Sequence, residues 1–232
     1  MLDRLARYQV VVKLLADLRP SSVLEVGSGS LGLGEFFRGS FVGVDVAFDG
    51  PRSGGLRPVR ASALSLPFRS RSFDLGLCLD VLEHLEPAVR LEAVAEAARV
   101  VRRHLLIGFP SGPVAQRVDA ELARWLEEKQ VTRPPWLEEH LRHPYPDPAE
   151  VIRAAAEMEP LASRGNENAH LHLRIMKWEL HPSRWVSGSA FILRYGFRPI
   201  AALAARWIHF PPYYRHILLL TRSSRHDHDR NA

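Results

Sequence analysis

The sequence of 232 residues has one cysteine, three lysines and no long apolar run. A single cysteine, Cys78, excludes an intrachain disulfide, and its place in an apolar stretch predicts a buried thiol. No apolar run approaches the ~20 residues that span a bilayer, so an integral membrane protein is not expected. The first twenty residues alternate apolar and charged types at helical spacing, which predicts an amphipathic helix rather than a secretion leader. We therefore expect a cytoplasmic protein, at most peripheral to a membrane.

Positive charge comes almost entirely from arginine, because lysine occurs only at positions 13, 129 and 177. The net charge is +5 and the pI is about 9.8. The arginines are scattered and acidic residues lie between them, so the sequence does not predict a nucleic-acid footprint. The length suits one large α/β domain.

One stretch, Val23 to Phe37, reads VLEVGSGSLGLGEFF and predicts a strand, a tight turn and a helix. Glycines at 27, 29 and 32 allow positive φ angles and let a ligand approach the main chain. A helix beginning behind them would offer free N–H groups. The spacing also satisfies the dinucleotide-binding pattern, which by itself does not identify the ligand.

Two acidic residues narrow the choice of ligand. Glu25 precedes the first glycine by two residues, at the end of a strand that should be buried, where an unpaired carboxylate is costly. It would repel a pyrophosphate but suits an ammonium group. Asp45 ends the strand-like Phe41 to Val44, where an acid can accept both hydroxyls of a ribose. Together they favour a zwitterionic nucleoside such as S-adenosylmethionine.

Three further segments follow in a recognisable order: Ala63 to Phe68 (ALSLPF), Ser72 to Leu75 (SFDL) and Asp80 to Leu85 (DVLEHL). With the glycine loop they make about residues 20 to 110 resemble the class I S-adenosylmethionine-dependent methyltransferases, type 11-like. The resemblance implies S-adenosylmethionine as the cofactor. It also implies an α/β fold with a Rossmann-like, doubly wound, seven-stranded and mostly parallel sheet carrying an inserted helical cap.

The resemblance also implies a set of cofactor-binding residues. Two positions depart from the family pattern. The third glycine comes one residue late, so that Leu31 stands in its usual place. Ser62 stands where the family has an acid or amide near the adenine. The implied cofactor-binding residues are Glu25, Gly27, Ser28, Gly29, Asp45, Ser62, Ala63, Leu64 and Leu79.

The second half of the chain holds all five tryptophans. We predict a single domain over 1–232, with an inserted cap at 111–157 and a disordered tail at 222–232. Aromatic residues in such a cap would suit an organic acceptor. A helix is predicted from Trp185 to Trp207, and the apolar stretch from Ala190 to Phe210 fits a core helix or a membrane-surface helix. The family places the closing strand, Tyr213 to Thr221, antiparallel between the fifth and sixth strands.

Methyl transfer from a sulfonium requires alignment first and a base only for some acceptors. The candidates for the base are Asp80, Glu83 and His84, which follow the fourth strand. Of these we predict that Asp80 and His84 are catalytic and that Glu83 is structural. Asp80, Glu83 and His84 also resemble the ligand pattern of metal-assisted O-methyltransferases. In that alternative His140 or His143 would complete the site.

The sequence thus predicts methyl transfer from S-adenosylmethionine to an oxygen or nitrogen atom of a small organic acceptor. Two alternatives stay open at this point. One is an NAD(P)-dependent oxidoreductase that uses the same glycine loop, and the other is a binding module without turnover. The sequence predicts neither nucleic-acid binding nor a particular oligomeric state.

Overall fold

The computed structural model describes residues 2–196 and 207–222. Its strands are β1 Val23–Val26, β2 Phe41–Asp45, β3 Leu56–Arg60, β4 Phe73–Leu79, β5 Val101–Pro110, β6 Met158–Asn168 and β7 Tyr213–Arg222. Its α-helices are α1 Leu2–Leu18, α2 Pro87–Val100, α3 Gly112–Glu128, α4 Pro135–Arg142, α5 Pro148–Ala154, α6 Ala169–Glu179 and α7 Arg184–Gly196.

The strands form one seven-stranded sheet in the order β3-β2-β1-β4-β5-β7-β6. The pairs β1–β2, β1–β4, β2–β3 and β4–β5 are parallel. Every residue of β4 is buried, as its continuous apolar run predicts for a central strand. Pro58 lies in β3, at the edge of the sheet, where a missing N–H is tolerated. The predicted α/β class and seven-stranded sheet are confirmed, and β7 lies between β5 and β6.

The segment after the glycine loop corrects one prediction. Instead of an α-helix, residues Gly32–Glu35 form a single 3₁₀ turn. Gly32, Gly34 and Gly39 all carry a high entropic cost in a helix, and the chain must reach β2 at Phe41. The helix N-terminus that the sequence suggested behind the glycines is therefore missing from this described segment.

The described residues divide into two compact units. The sheet unit comprises 19–109, 146–164 and 217–222, and the helical unit comprises 2–18, 110–145, 165–196 and 207–216. Residues of β6 and β7 belong to both. The predicted boundaries of an inserted cap at 111–157 stay a prediction.

The sheet unit has its own apolar core, in which α2 packs against β4 and α5. Pro87 begins α2, where its lack of an N–H is harmless, and the buried face of the helix repeats every three to four residues. The largest fully buried side chains of this core include those of Leu24, Leu82, Leu105, Ile107 and Phe109.

At the amino-terminal edge of the sheet, the buried carboxylate of Asp74 joins three segments. It accepts hydrogen bonds from the N–H of Ser21, at 2.9 Å, and from the Ser21 hydroxyl. Arg102, on β5, donates to it through Nε over 3.0 Å. Burial by itself would raise the pKa of Asp74, but these hydrogen bonds outweigh it and hold the pKa at about 2.

The helical unit has a second apolar core, built from α3, α4 and α6 around residues such as Leu122, Leu126 and Leu137. A polar cluster lies inside it. The buried Asp119 carboxylate accepts hydrogen bonds from the hydroxyls of Tyr145 and Tyr214 and contacts Nδ1 of His140 at 2.8 Å. Burial, followed by the Asp119 charge, raises the pKa of Tyr214 well above its usual value.

A second buried carboxylate, that of Glu167, lies in the same unit. Arg215 donates a hydrogen bond to its Oε2, and Nδ1 of His172 lies 3.1 Å from Oε1. The ring of His172 stacks on that of Tyr214, with centroids 3.6 Å apart. Two buried carboxylates are thus balanced by buried donors, as an apolar interior requires.

Among the described residues, no helix combines the length and the apolar character needed to cross a membrane. The helix predicted from Trp185 to Trp207 begins one residue early and is described only as far as Gly196. Its later part, and all but the first residue of the tail predicted at 222–232, lie outside the described residues.

Candidate functional site

The register of the sheet brings the ends of three neighbouring strands to one level. Val26, the last residue of β1, lies beside Val44 of β2 and Cys78 of β4. The residues that follow are Gly27, Asp45 and Leu79. Because carboxyl ends of parallel strands meet at one edge, the sequence-predicted residues of these strands lie together there, where α/β sheets bind ligands.

The carboxylate of Asp45 links the glycine loop to the end of β2. Its Oδ2 accepts the N–H of Gly29 at 2.8 Å, and its Oδ1 accepts the N–H of Ala47 at 3.2 Å. A carboxylate has about four acceptor positions, so two protein hydrogen bonds leave capacity for hydroxyl donors. Asp45 is half-buried, which keeps its outer side accessible.

The first two glycines differ in what surrounds them. Gly27 has φ +73°, and a methyl group added there would lie 2.3 Å from Cγ2 of Val81. Its N–H donates to the carbonyl of Val44 at 2.8 Å. Gly29 has φ +53°, and a methyl group there would have no atom within 4 Å. The loop is therefore closely packed at Gly27 and open to a ligand at Gly29. Ser28, between them, is buried.

Glu25 contacts the loop that follows it. Its side chain is buried, and its Oε2 accepts the N–H of Leu33 at 2.7 Å. A methyl group at Gly32 would lie 2.3 Å from that same oxygen. The late third glycine thus leaves room for the Glu25 carboxylate. A contact between Glu25 and a ligand ammonium stays a prediction.

The predicted cofactor-binding residues Ser62, Ala63 and Leu64 form a turn after β3. The hydroxyl of Ser62 accepts the N–H of Leu64 at 3.2 Å, and its carbonyl accepts the N–H of Ser65 at 3.1 Å. Ser62 is exposed, whereas Ala63 and Leu64 are half-buried. The turn is tied to β2, because the N–H of Ala61 donates to the carbonyl of Asp45 at 3.1 Å.

The chain turns sharply after β4. Leu79 is buried, and Asp80 has φ +51°, a conformation that aspartate tolerates better than most residues. The N–H of Asp80 donates to the carbonyl of Gly108 at 2.8 Å. Such strained residues cluster at active sites, which makes Asp80 a functional candidate.

Burial, with the charges of Glu83 and Asp80, raises the pKa of the Cys78 thiol to about 12.

The segment after Asp80 contains one 3₁₀ turn, Leu82–His84. Glu83 is buried and His84 is half-buried. Arg90 is also buried; burial lowers its pKa, while the Glu83 and Glu150 charges oppose that shift. The Glu83 charge therefore acts on a buried cation of α2. Metal binding by Asp80, Glu83 and His84 stays a prediction.

Sequence reasoning missed two residues that shape this site. Val81 contacts the position where a Gly27 side chain would stand, and Arg90 offers a buried positive charge to Glu83. The role of Arg90 could have been suspected, because a buried acid is costly without a nearby cation and Arg90 follows Glu83 by seven residues. Nothing in the sequence indicated the contact of Val81.

Residues 24–106 match the family model described as Methyltransferase domain. Over these residues the sequence is similar to a methyltransferase domain. The matched residues run from β1 into β5, and they include all the predicted cofactor-binding residues and both candidate bases, Asp80 and His84. No curated protein matches the sequence.

Solved structures show the same fold as this chain. A magnesium protoporphyrin IX methyltransferase from Synechocystis PCC 6803 with bound SAH is 14% identical, with 95% of this chain and 84% of that chain covered and a TM-score of 0.52. A putative sarcosine dimethylglycine methyltransferase from Galdieria sulphuraria is 15% identical, with 96% of this chain and 84% of that chain covered and a TM-score of 0.51. At such identities the likeness concerns the fold alone.

Proposed function

We propose that the chain transfers the methyl group of S-adenosylmethionine to an oxygen or nitrogen atom of a small organic acceptor. The observation that carries the proposal is the register that brings Gly27, Asp45 and Leu79 to one edge of the sheet. In the transfer, the acceptor atom forms a bond to the methyl carbon, and the bond from that carbon to sulfur breaks. S-adenosylhomocysteine and the methylated acceptor are the products.

The residues at this edge fit the donor. Asp45 would accept the ribose hydroxyls while it holds Gly29, and the open main chain at Gly29 would face the donor. The turn at Ser62, Ala63 and Leu64 would border the adenine. The contacts of Asp45, Gly29 and this turn with the donor are part of the proposal.

For an acceptor that must lose a proton, Asp80 and His84 are the proposed bases. Asp80 follows β4 directly and has a positive φ angle, and His84 ends the adjoining 3₁₀ turn. Glu83 is proposed to be structural, because it is buried and its charge acts on Arg90. A buried base without access to the acceptor would be ineffective.

Ligand-induced thermal stabilisation tests the donor site. S-adenosylmethionine and S-adenosylhomocysteine should raise the Tm, because a ligand at 100 times its Kd stabilises the folded state by about 2.7 kcal/mol. NAD and NADP should leave the Tm unchanged. Stabilisation by NAD or NADP instead would support the oxidoreductase alternative and overturn the proposal.

The acceptor is tested separately. The protein is incubated with isotopically methyl-labelled S-adenosylmethionine and a metabolite extract, and products are separated by mass. We expect label on an oxygen or nitrogen atom of a small molecule, with one S-adenosylhomocysteine formed per product. Donor binding with no labelled product from any extract would favour a binding module without turnover.

A further inference from the structure

Helix α7 turns bulky apolar side chains outward. Trp185 is 91% exposed and Ile192 is 59% exposed, whereas Ala190 is 3% exposed. At 100° per residue, Trp185 and Ile192 lie seven residues apart on one face, and Ala190 points away from that face. In a helix that packs only on its own unit, Trp185 and Ile192 would be buried and Ala190 would be exposed. The outward face of α7 therefore suits an apolar partner.

The sequence around α7 carries an excess of positive charge. From Leu180 to Arg222 it contains six arginines and no aspartate or glutamate. Two of these arginines pair with acids from elsewhere, Arg215 with Glu167 and Arg222 with Glu157. Arg184, at the start of α7, is exposed and forms no salt bridge with any described residue. The partner of this surface should be anionic as well as apolar.

We propose that the outward face of α7, formed by Trp185, Gly188 and Ile192 with Arg184 at its start, docks on an anionic lipid surface. Helices that lie in a bilayer interface combine exposed aromatic and aliphatic residues with arginine, and each basic residue near an anionic surface contributes about 1 kcal/mol. Trp207, in the same unit, is also a tryptophan that is 78% exposed.

The charge and the apolar side chains of this face together favour an anionic membrane over a second copy of the chain or a nucleic acid. In a symmetric dimer the same surface faces itself, so a segment rich in arginine and without acidic residues would face the same positive charge on the second copy. A nucleic acid would satisfy the charge, but an aliphatic residue such as Ile192 gains little from bases or phosphates. An anionic membrane satisfies both requirements.

Vesicle flotation with the full chain tests the docking surface. We expect binding to phosphatidylcholine vesicles that contain phosphatidylglycerol, and little binding to phosphatidylcholine alone. High salt should reduce the bound fraction, because it screens exposed charges. Arg184→Gln should lower the partition coefficient about fivefold. The double variant Trp185→Ser/Ile192→Ser should lower it at least tenfold, because it removes the apolar contact.

Leu161→Ser is the matched control, because Leu161 is also an exposed aliphatic residue but lies on β6 in the sheet unit. It should bind vesicles as the wild type does. The exposed positions of Trp185 and Ile192 make misfolding of the double variant unexpected, and its circular dichroism should match that of the wild type. Brominated phosphatidylglycerol gives a second readout, since it should quench wild-type tryptophan fluorescence more than that of Trp185→Phe.

Three results would overturn the proposal. The first is no binding of the wild type to phosphatidylglycerol vesicles at low salt. The second is equal loss of binding in Leu161→Ser and in the double variant. The third is a wild-type dimer, seen by light scattering, that the double variant converts to a monomer, which would assign the face to a second copy of the chain.

Discussion

The main-chain N–H of Gly29 donates a hydrogen bond of 2.8 Å to Oδ2 of Asp45. One carboxylate therefore fixes the glycine loop after β1 and stands at the end of β2, where a ribose would lie. A change at Asp45 should thus affect the ligand and the shape of its loop together.

Asp45→Ala should weaken S-adenosylhomocysteine binding by about tenfold to a hundredfold, because hydrogen bonds to a charged group contribute about 1.5–3 kcal/mol. Asp45→Asn should weaken it less, since an amide oxygen still accepts the Gly29 N–H. Isothermal titration calorimetry measures both. Asp49→Ala, at an exposed position of the following loop, is the control and should bind normally. An affinity unchanged in Asp45→Ala would show that the ribose lies elsewhere.

The two glycines at 29 and 32 should respond differently to alanine. Both have positive φ angles, so each alanine carries about 1–2 kcal/mol of backbone strain. At Gly32 the methyl group also meets Oε2 of Glu25 at 2.3 Å, which should add about 1–3 kcal/mol of destabilisation. At Gly29 it meets no atom, so we expect reduced S-adenosylhomocysteine affinity with a smaller loss of stability. Chemical denaturation and calorimetry separate the two effects, and equal destabilisation would contradict the proposed packing.

Acid should weaken the amino-terminal edge of the sheet through Asp74. Its pKa is about 2 when folded and 3.8 when unfolded, so its contribution is present above pH 4 and is lost as the pH falls towards 2. The loss should reach about 2 kcal/mol in the free energy of unfolding. Asp74→Asn should lack this part of the pH dependence, and Ser21→Ala should reduce it. Urea unfolding across this pH range measures it; parallel curves for wild type and Asp74→Asn would contradict the assignment.

Variants in the segment from Asp80 to His84, together with a chelator, should distinguish a catalytic base from a metal site. If His84 removes a proton, His84→Gln should lower kcat roughly a hundredfold while donor affinity survives, and a chelator should have no effect. If a metal is bound, a chelator should abolish activity, and Mg, Mn or Zn should restore it. Glu83→Ala should instead lower the Tm, because the charge facing Arg90 is lost. Unchanged kcat in His84→Gln and Asp80→Asn would eliminate both as bases.

Most strands and helices were predictable because their patterns are local. A continuous apolar run coincides with β4, and a proline stands at the first residue of α2. Two elements were not. The stretch after Gly32 looked helical but forms a 3₁₀ turn, since its glycines and the nearby β2 leave no favourable helix. The bounds of strand β6 could not be predicted, because it lies at the edge of the sheet with mostly exposed residues and no apolar alternation marks its length.

The site was predictable at the strand ends and not between them. Asp45 could be placed because it follows an apolar strand, and its predicted position at the sheet edge agrees with the observed register. The contact of Glu25 with Leu33 depends on the path of a loop, which spacing does not reveal. The Asp119 cluster was also missed, because its members at 119, 140, 145 and 214 are far apart in the sequence.

The Asp119 cluster has a consequence for how this sequence can change over time. Two tyrosine hydroxyls and one imidazole share a single carboxylate in an apolar interior, so loss of Asp119 alone would leave three buried polar groups to find new partners. Replacing the whole cluster with apolar residues would avoid that penalty. Descendants of this chain should therefore keep Asp119, His140, Tyr145 and Tyr214 together or lose them together, and the four positions should covary.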